Sequence, residues 1–338
     1  MPSTALPRRP ARVAAVVLLG TALIGSAACS DTSANRPASE AGAIEVVAAF
    51  YAAETLAREV GGDRVNVRLL GSTGADPHHI ELTPDDVIAV ADAQIVVAMR
   101  GFQPAVDEAL AEANDDAIVD LATVIDLRSS EPHEAQHEEG DHEAADHDEA
   151  EHDEADQDEG DHDHGPIDFH FWLDPTLMSD GAIAVRDALV AASPDHREEF
   201  DTNLATFQSE LGELDTGYRD GLATCERGEI VTTHRAFGYL ADRYDFIEDS
   251  ITGLTPEDEP SPAALERLAD HITDSGITTV FFETLANPAI ARTLAEETGA
   301  TTAVLDPIEG VSEASPGTDY VSIMTANLAA IRTARGCQ

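Results

Sequence analysis

The chain has 338 residues, with 66 Asp and Glu against 19 Lys and Arg, a formal charge of −47, and 43% hydrophobic residues. That apolar content over that length buries one or two ordinary cores, which excludes wholesale disorder. So acidic a chain repels phosphate, which excludes nucleic acid as a partner.

Residues 1–29 read as an export signal. Arg8, Arg9 and Arg12 form a basic start, residues 13–24 an apolar run too short to span a bilayer, and Gly25-Ser26-Ala27-Ala28-Cys29 the end. Small residues before a Cys resemble a bacterial lipobox, in which Cys29 becomes the acylated N-terminus; Ser26 stands where Leu is more usual. Residues 30–42 then read as a flexible tether. No later stretch approaches the roughly 20 apolar residues of a spanning helix. The expected mature protein is therefore extracytoplasmic, monomeric, and held to the outer face of a bacterial cell membrane by lipid. With Cys29 acylated, Cys225 and Cys337 are left to form a disulfide in an oxidising compartment, the alternative being two free thiols.

Residues 43–175 are expected to form an N-terminal α/β lobe. Strands are predicted at 44–50, 65–70, 93–98 and 117–120, and helices at 51–60, 85–91 and 104–113. Such alternation argues for a parallel sheet covered by helices on both faces. Thr83-Pro84-Asp85-Asp86 is a helix start, with a capping hydroxyl, a proline in the first turn and acids near the positive end. The lobe is interrupted at 131–164 by a tract of 17 carboxylates and seven histidines with no basic residue. Removing it leaves a charge of about −30, so the rest of the chain is acidic in its own right. The tract lacks the apolar residues for a core and is expected to be a disordered loop.

Residues 176–226 read as helices, one at 177–191 and a second from 194 to about 222, long enough to join two lobes. Residues 227–338 return to alternation. Strands are predicted at 229–233, 247–251, 278–282 and 301–305, and helices at 236–244, 262–275, 288–298 and 320–334. The fold class is α/β: two Rossmann-like lobes with parallel sheets, joined by a long rigid linker helix.

Outside the tract six histidines remain, and three stand in telling places. His78 lies in Asp76-Pro77-His78-His79 after the second strand, His170 in Asp168-Phe169-His170-Phe171-Trp172-Leu173-Asp174-Pro175, and His234 directly after Val231-Thr232-Thr233. Asp306 follows the strand at 301–305 in the same way. Open α/β sheets bind ligands beyond the carboxyl ends of their strands. Three imidazoles and a carboxylate in such a cleft are the inventory of a tetrahedral metal site. Glu283, at the end of 278–282, faces the same cleft as an acceptor orienting an imidazole, a substitute fourth ligand, or a helix-capping acid.

These motifs, with Thr232-Thr233-His234-Arg235-Ala236-Phe237-Gly238-Tyr239-Leu240 and Leu305-Asp306-Pro307-Ile308-Glu309-Gly310, carry a resemblance. From residue 43 to 337 the chain resembles the zinc/manganese ABC-transporter solute-binding proteins of cluster A-I, zinc-type lipoproteins with an acidic His-rich insert before the second motif. The resemblance implies metal ligands His78 (rather than His79), His170, His234 and Asp306, with an ABC permease as partner. It implies capture of Zn²⁺ as transported ligand and its delivery for uptake, with no catalysis. His234 gives a nitrogen-rich set, and Mn²⁺ lies at the weak end of the Irving–Williams order, so zinc is favoured.

In the tract, His133, His137, His142, His147, His152, His162 and His164 are interleaved with acids as a weak, metal-gathering device. The bland alternative there is a solvated charge run. For the whole chain the alternatives are a manganese-specific homologue, a surface adhesin or zinc buffer, and a zinc metallohydrolase. Against an enzyme, the turn after the first strand has no glycine-rich dinucleotide fingerprint, and neither Gly-x-Ser-x-Gly nor His-Glu-x-x-His occurs. Affinity is expected to fall below about pH 6.5 as protons compete for imidazole.

Overall fold

A computed structural model describes residues 42–71, 76–129, 167–256, 259–285 and 287–338. The export signal with Cys29, the tether up to residue 41, and the His-rich tract with its seven histidines lie outside the described residues.

The first half builds β1 (Ile44–Ala48), α1 (Tyr51–Gly61), β2 (Val65–Leu69), α2 (Pro84–Asp92), β3 (Ile95–Ala98), α3 (Pro104–Leu110) and β4 (Ile118–Asp120). The strands form a parallel sheet in the order β2-β1-β3-β4, with Val46 beside Val67 on one side and beside Ile95 on the other. Central β1 and β3, Ile-Glu-Val-Val-Ala and Ile-Val-Val-Ala, are buried along almost their whole length. Strands covered on both faces need such continuous apolar runs, whereas edge strands β2 and β4 tolerate Asn66, Arg68 and Asp120. The start signal of α2 works as its sequence suggests. Asp86 N donates to the Thr83 hydroxyl and Thr83 N to the Asp86 carboxylate, at 3.2 and 3.0 Å.

Two helices follow, α4 (Pro175–Ala192) and α5 (Arg197–Leu222). The 26 residues of α5 span about 39 Å at 1.5 Å each. Its buried stripe of Phe200, Leu204, Phe207, Leu211, Leu214, Tyr218 and Leu222 recurs every three or four residues, which keeps it on one face of the helix. That face meets both halves of the molecule. α5 packs on α1 and α4 at one side and on α9 (Tyr320–Arg335) at the other, where the Tyr218 hydroxyl donates to Met324 O at 2.7 Å.

The second half repeats the plan with β5 (Glu229–Thr232), α6 (Gly238–Arg243), β6 (Ile247–Ser250), α7 (Pro262–Asp274), β7 (Thr279–Phe282), α8 (Ala289–Thr298) and β8 (Thr301–Val304). Its parallel sheet runs β6-β5-β7-β8, the same order as the first. Helix α6 begins two residues later than the periodicity suggests. Phe237 N is held by the Glu248 carboxylate at 3.1 Å, so residues 234–237 form a turn instead of a first helical turn.

The main core is continuous between the lobes. Phe50, Trp172, Phe207, Tyr239, Tyr244 and Tyr320, from both halves, belong to one buried cluster, while Val231, Ile272, Val280 and Leu294 form a smaller one under α7 and α8. A disulfide joins Cys225, beyond α5, to Cys337, beyond α9. Closing a loop of 112 residues removes about 4–5 kcal/mol of unfolded-chain entropy in the chain-entropy view. Glu226 N and Arg227 N both donate to Arg335 O at 3.0 Å and seat the bridge.

Candidate metal centre

Each lobe contributes loops from the carboxyl ends of its strands. His78 sits on a single 3₁₀ turn, Pro77–His79, after β2. Asp76 caps the turn by accepting from His78 N at 2.8 Å. Gln103, buried just before α3, anchors it from below, its amide donating to Pro77 O at 2.9 Å and to Ala49 O at 3.3 Å. Ala49 follows β1 and Gln103 follows β3, so this amide bridges the point where strand order reverses. His79, next along the turn, is exposed and stands outside the cluster described below.

His170 opens the 3₁₀ turn Phe171–Leu173 and is fully buried. Asp168 accepts from the His170 backbone at 3.0 Å and lies 2.8 Å from Nδ1, which turns Nε2 toward the cleft. His234 follows β5 and is also fully buried. Its Nδ1 lies 2.7 Å from Glu283 Oε1, out of line for a hydrogen bond, while the same oxygen accepts from the His234 backbone at 3.2 Å and from the Thr233 hydroxyl. Glu283 follows β7, so His234 and Glu283 straddle the corresponding reversal point of the second sheet.

The fourth member is Glu309. Its Oε1 lies 2.9 Å from His78 Nε2, 3.2 Å from His170 Nε2 and 3.4 Å from His234 Nε2. All four ligand atoms fall within 4.8 Å of one another. Ligands at 2.0–2.2 Å in a tetrahedron stand about 3.3–3.6 Å apart, close to the 2.9–3.4 Å that separate Glu309 Oε1 from the three nitrogens and the 3.4 Å between His170 and His234 Nε2.

Asp306, expected as the fourth ligand, is not in this cluster. Its Oδ1 accepts from Ile308 N at 2.9 Å, and its Oδ2 takes the Thr284 hydroxyl at 3.3 Å. Asn327 clamps its backbone from both sides, accepting from Asp306 N at 3.0 Å and donating to Asp306 O at 2.7 Å. The carboxylate is thus spent on a turn. That turn drives the buried Ile308 to φ 59°, a left-handed conformation costly for a β-branched side chain, and delivers Glu309 three residues on. Asp-Pro beyond a strand signals such a turn in sequence and points past the Asp to the next carboxylate. Glu283 takes the orienting place against His234.

Electrostatics follow from burial and neighbours. Burial alone disfavours a charged His170, but the hydrogen bonds to Asp168 and Glu309 outweigh it and lift the imidazole to about 9. His234 is likewise opposed by burial and carried well above its ordinary value by Glu283 and Glu309. Glu309 is pushed upward by burial, yet His234, His170 and His78 together hold it well below the usual carboxylate range. The carboxylates around them thus favour the protonated form of His170 and His234 and the ionised form of Glu309.

Aromatic rings wall the centre. Phe102 meets His78 edge-on at 5.2 Å and Trp172 lies 5.3 Å from His170. Direct bonds tie the lobes around it. Trp172 Nε1 donates to Pro307 O and the Tyr320 hydroxyl to Trp172 O, both at 2.7 Å. The Tyr239 hydroxyl donates to Asp168 O at 2.9 Å and accepts from Arg128 N at 3.0 Å. A cleft of about 250 Å³, bordered by Tyr51, Glu54, Asp76, Gln103 and Val311, reaches Glu309 from the surface.

Comparisons with known proteins agree with this architecture. The family model for periplasmic component A of the zinc-uptake complex matches residues 46–334. The high-affinity zinc uptake system protein ZnuA of Bacillus subtilis is 33% identical over 313 residues, covering 90% of this chain and 92% of its own. The zinc-binding lipoprotein AdcA of Streptococcus pneumoniae is 33% identical over 297 residues, 86% of this chain but 56% of its own, so the chain spans about half the length of that relative. The crystal structure of the Zn(II)-bound ZnuA-like domain of the pneumococcal AdcA superposes with a TM-score of 0.68 at 29% identity, covering 87% of this chain and 99% of the domain. Two parallel sheets of matching order, a cleft of imidazole and carboxylate between them, and a family match over nearly the whole described chain have one reading: the chain belongs to the ZnuA family, component A of zinc-uptake complexes.

Proposed function

We propose that this protein captures Zn²⁺ between its lobes, with His78, His170, His234 and Glu309 as ligands, and delivers it to an ABC permease. The observation that carries the reading is the convergence of three Nε2 atoms on one Glu309 oxygen, at 2.9 to 3.4 Å. Three nitrogens and one oxygen suit zinc and disfavour manganese, whose affinity for such sites is lower. Four protein ligands fill a tetrahedron and leave no position for an attacking water, which favours a carrier over a hydrolase. The outer carboxylates support it too: Asp168 is hydrogen-bonded to Nδ1 of His170, and Glu283 fixes the His234 backbone and lies 2.7 Å from its Nδ1, on the side away from the cleft.

In this reading Cys29 carries lipid, the protein works extracytoplasmically as a monomer at the membrane, and the histidines of 131–164 gather zinc weakly. Competitive zinc titration of single-site variants is the test. Glu309→Ala is expected to weaken the tight site by more than about 100-fold, since outer carboxylates alone are worth 10–100-fold. Asp306→Ala loses affinity only indirectly, and X-ray absorption of its zinc complex still shows three nitrogens and one carboxylate oxygen. An unchanged affinity in Glu309→Ala would overturn the ligand set. Deleting 131–164 is expected to keep the tight ion and lose only weak ones.

A further inference from the structure

A second group of metal-ligating side chains lies outside the cleft cluster, on the β5–β6 side of the second sheet. Glu229 opens β5, Asp249 stands in β6, and His271 sits in the last turn of α7. His271 Nε2 is 2.8 Å from Glu229 Oε2 and 3.0 Å from Asp249 Oδ2, and the three ligand atoms lie within 4.8 Å of one another. From this geometry we infer a second, exchangeable Zn²⁺ site built by Glu229, Asp249 and His271.

Strand register explains the juxtaposition. Glu229 pairs with Ile247 and Val231 with Asp249, so both carboxylates project from the same face of neighbouring parallel strands. Val231 on that face and Ile272 of α7 belong to the same small core, which holds α7 and the preceding residue, His271, against the two acids. The ligands thus come from three elements whose relative positions the small second core fixes. Two carboxylates brought together repel one another, and among the described residues no arginine lies within ion-pair distance of either. A divalent cation cancels both charges, while the imidazole nitrogen selects a first-row transition metal over Mg²⁺ or Ca²⁺, which take oxygen ligands. All three side chains remain partly exposed, at 39%, 26% and 35% for His271, Glu229 and Asp249. Three protein ligands at such a surface leave the remaining positions to water, so this ion exchanges far more readily than one in the closed four-ligand cleft.

The site is separate from the cleft. His234 follows the far end of β5, about 16 Å from Glu229 at roughly 3.3 Å per residue. Either ion can therefore be lost without removing a ligand of the other.

The test follows the His271 imidazole by NMR in the full chain, with one equivalent of zinc already filling the tight site. Its signals are assigned by their loss in His271→Gln. Further zinc is expected to shift those signals, and the double variant Glu229→Gln/Asp249→Asn is expected to abolish the shift while still holding one tight ion. Signals that stay put in a large excess of zinc, or that shift equally in the double variant, would show a plain hydrogen-bonded cluster and overturn the inference. Wild-type crystals provide a check that needs no variant: an anomalous peak at the zinc edge between the three side chains supports the site, and its absence at saturating zinc counts against it.

Discussion

Three histidines could be found in the sequence because each terminates or follows a short recognisable run, Asp76-Pro77, Asp168-Phe169 or Val231-Thr232-Thr233, and strand ends are where open sheets gather ligands. Glu309 could not be found that way. It lies beyond the strand end, and the residue that does stand there, Asp306, uses its carboxylate to fold the turn. Of the carboxylates behind the imidazoles, Glu283 could be brought to the cleft by its strand end, but which of its three roles it takes depends on His234, 49 residues away in sequence. These carboxylates lead to a prediction: Asp168→Asn and Glu283→Gln are each expected to reduce zinc affinity by about 10–100-fold with all four ligands intact. A chelator competition assay on the folded variants measures it, and an affinity equal to wild type in both would remove their orienting role.

The same carboxylates set the pH dependence. Imidazole in water suggests that competition by protons starts below about pH 6.5. The buried network moves that threshold upward, because Asp168 and Glu309 overcome burial and bring His170 to about 9 in the metal-free state. At neutral pH a bound proton must leave before zinc can take Nε2, so binding releases protons and apparent affinity rises as pH climbs toward about 9. Isothermal titration in buffers of different ionisation enthalpy is expected to show net proton release at pH 7. Equal heats in all buffers would mean the imidazoles are already neutral.

At the scale of elements, strands and long helices were legible because burial on both faces demands continuous apolar runs and α5 demands a stripe. The two 3₁₀ turns that carry His78 and precede α4 were not, since three residues make no period. The late start of α6 was hidden for another reason: it depends on Glu248, which reaches across from β6. That carboxylate is enclosed although the residue as a whole is half-buried, and burial lifts it to about 7 against the help of Phe237 N and the Thr232 hydroxyl. An acid raised on folding holds its proton in the native state while the unfolded chain has lost it. Its stabilising contribution is full below the ordinary carboxylate value of 4.5 and is lost as pH rises to about 7. Glu248→Gln is expected to remove that slope, gaining up to about 3 kcal/mol relative to wild type at pH 8 and little at pH 4. Urea denaturation at both pH values decides it, and a difference that is the same at each would show that Glu248 does not titrate in this window.

For the whole molecule, a two-lobed fold suggests closure about a hinge, and the packing opposes it. The main core passes without a break from one sheet through α4 and α5 to α6 and α9, and the Trp172, Tyr320 and Tyr239 bonds cross the cleft at its base. Swinging the lobes apart would expose that apolar surface and break those buried bonds, each costing about 1–3 kcal/mol when left unmade. Response to the ion should therefore be confined to the loops that hold the ligands. Trp172 reports on these loops: it is the chain's single tryptophan, its ring lies tilted 5.3 Å from that of His170, and its indole NH holds Pro307 two residues before Glu309. Zinc is expected to change Trp172 fluorescence in step with occupancy, through the loss of charge on His170 and the small shift of Glu309, while the radius of gyration by X-ray scattering stays constant. A contraction on zinc binding that exceeds the scattering error would show that the lobes move as bodies and that the shared core yields. A silent tryptophan with a full tight site would place the response in the loop of His78, which the Gln103 amide ties to the first sheet.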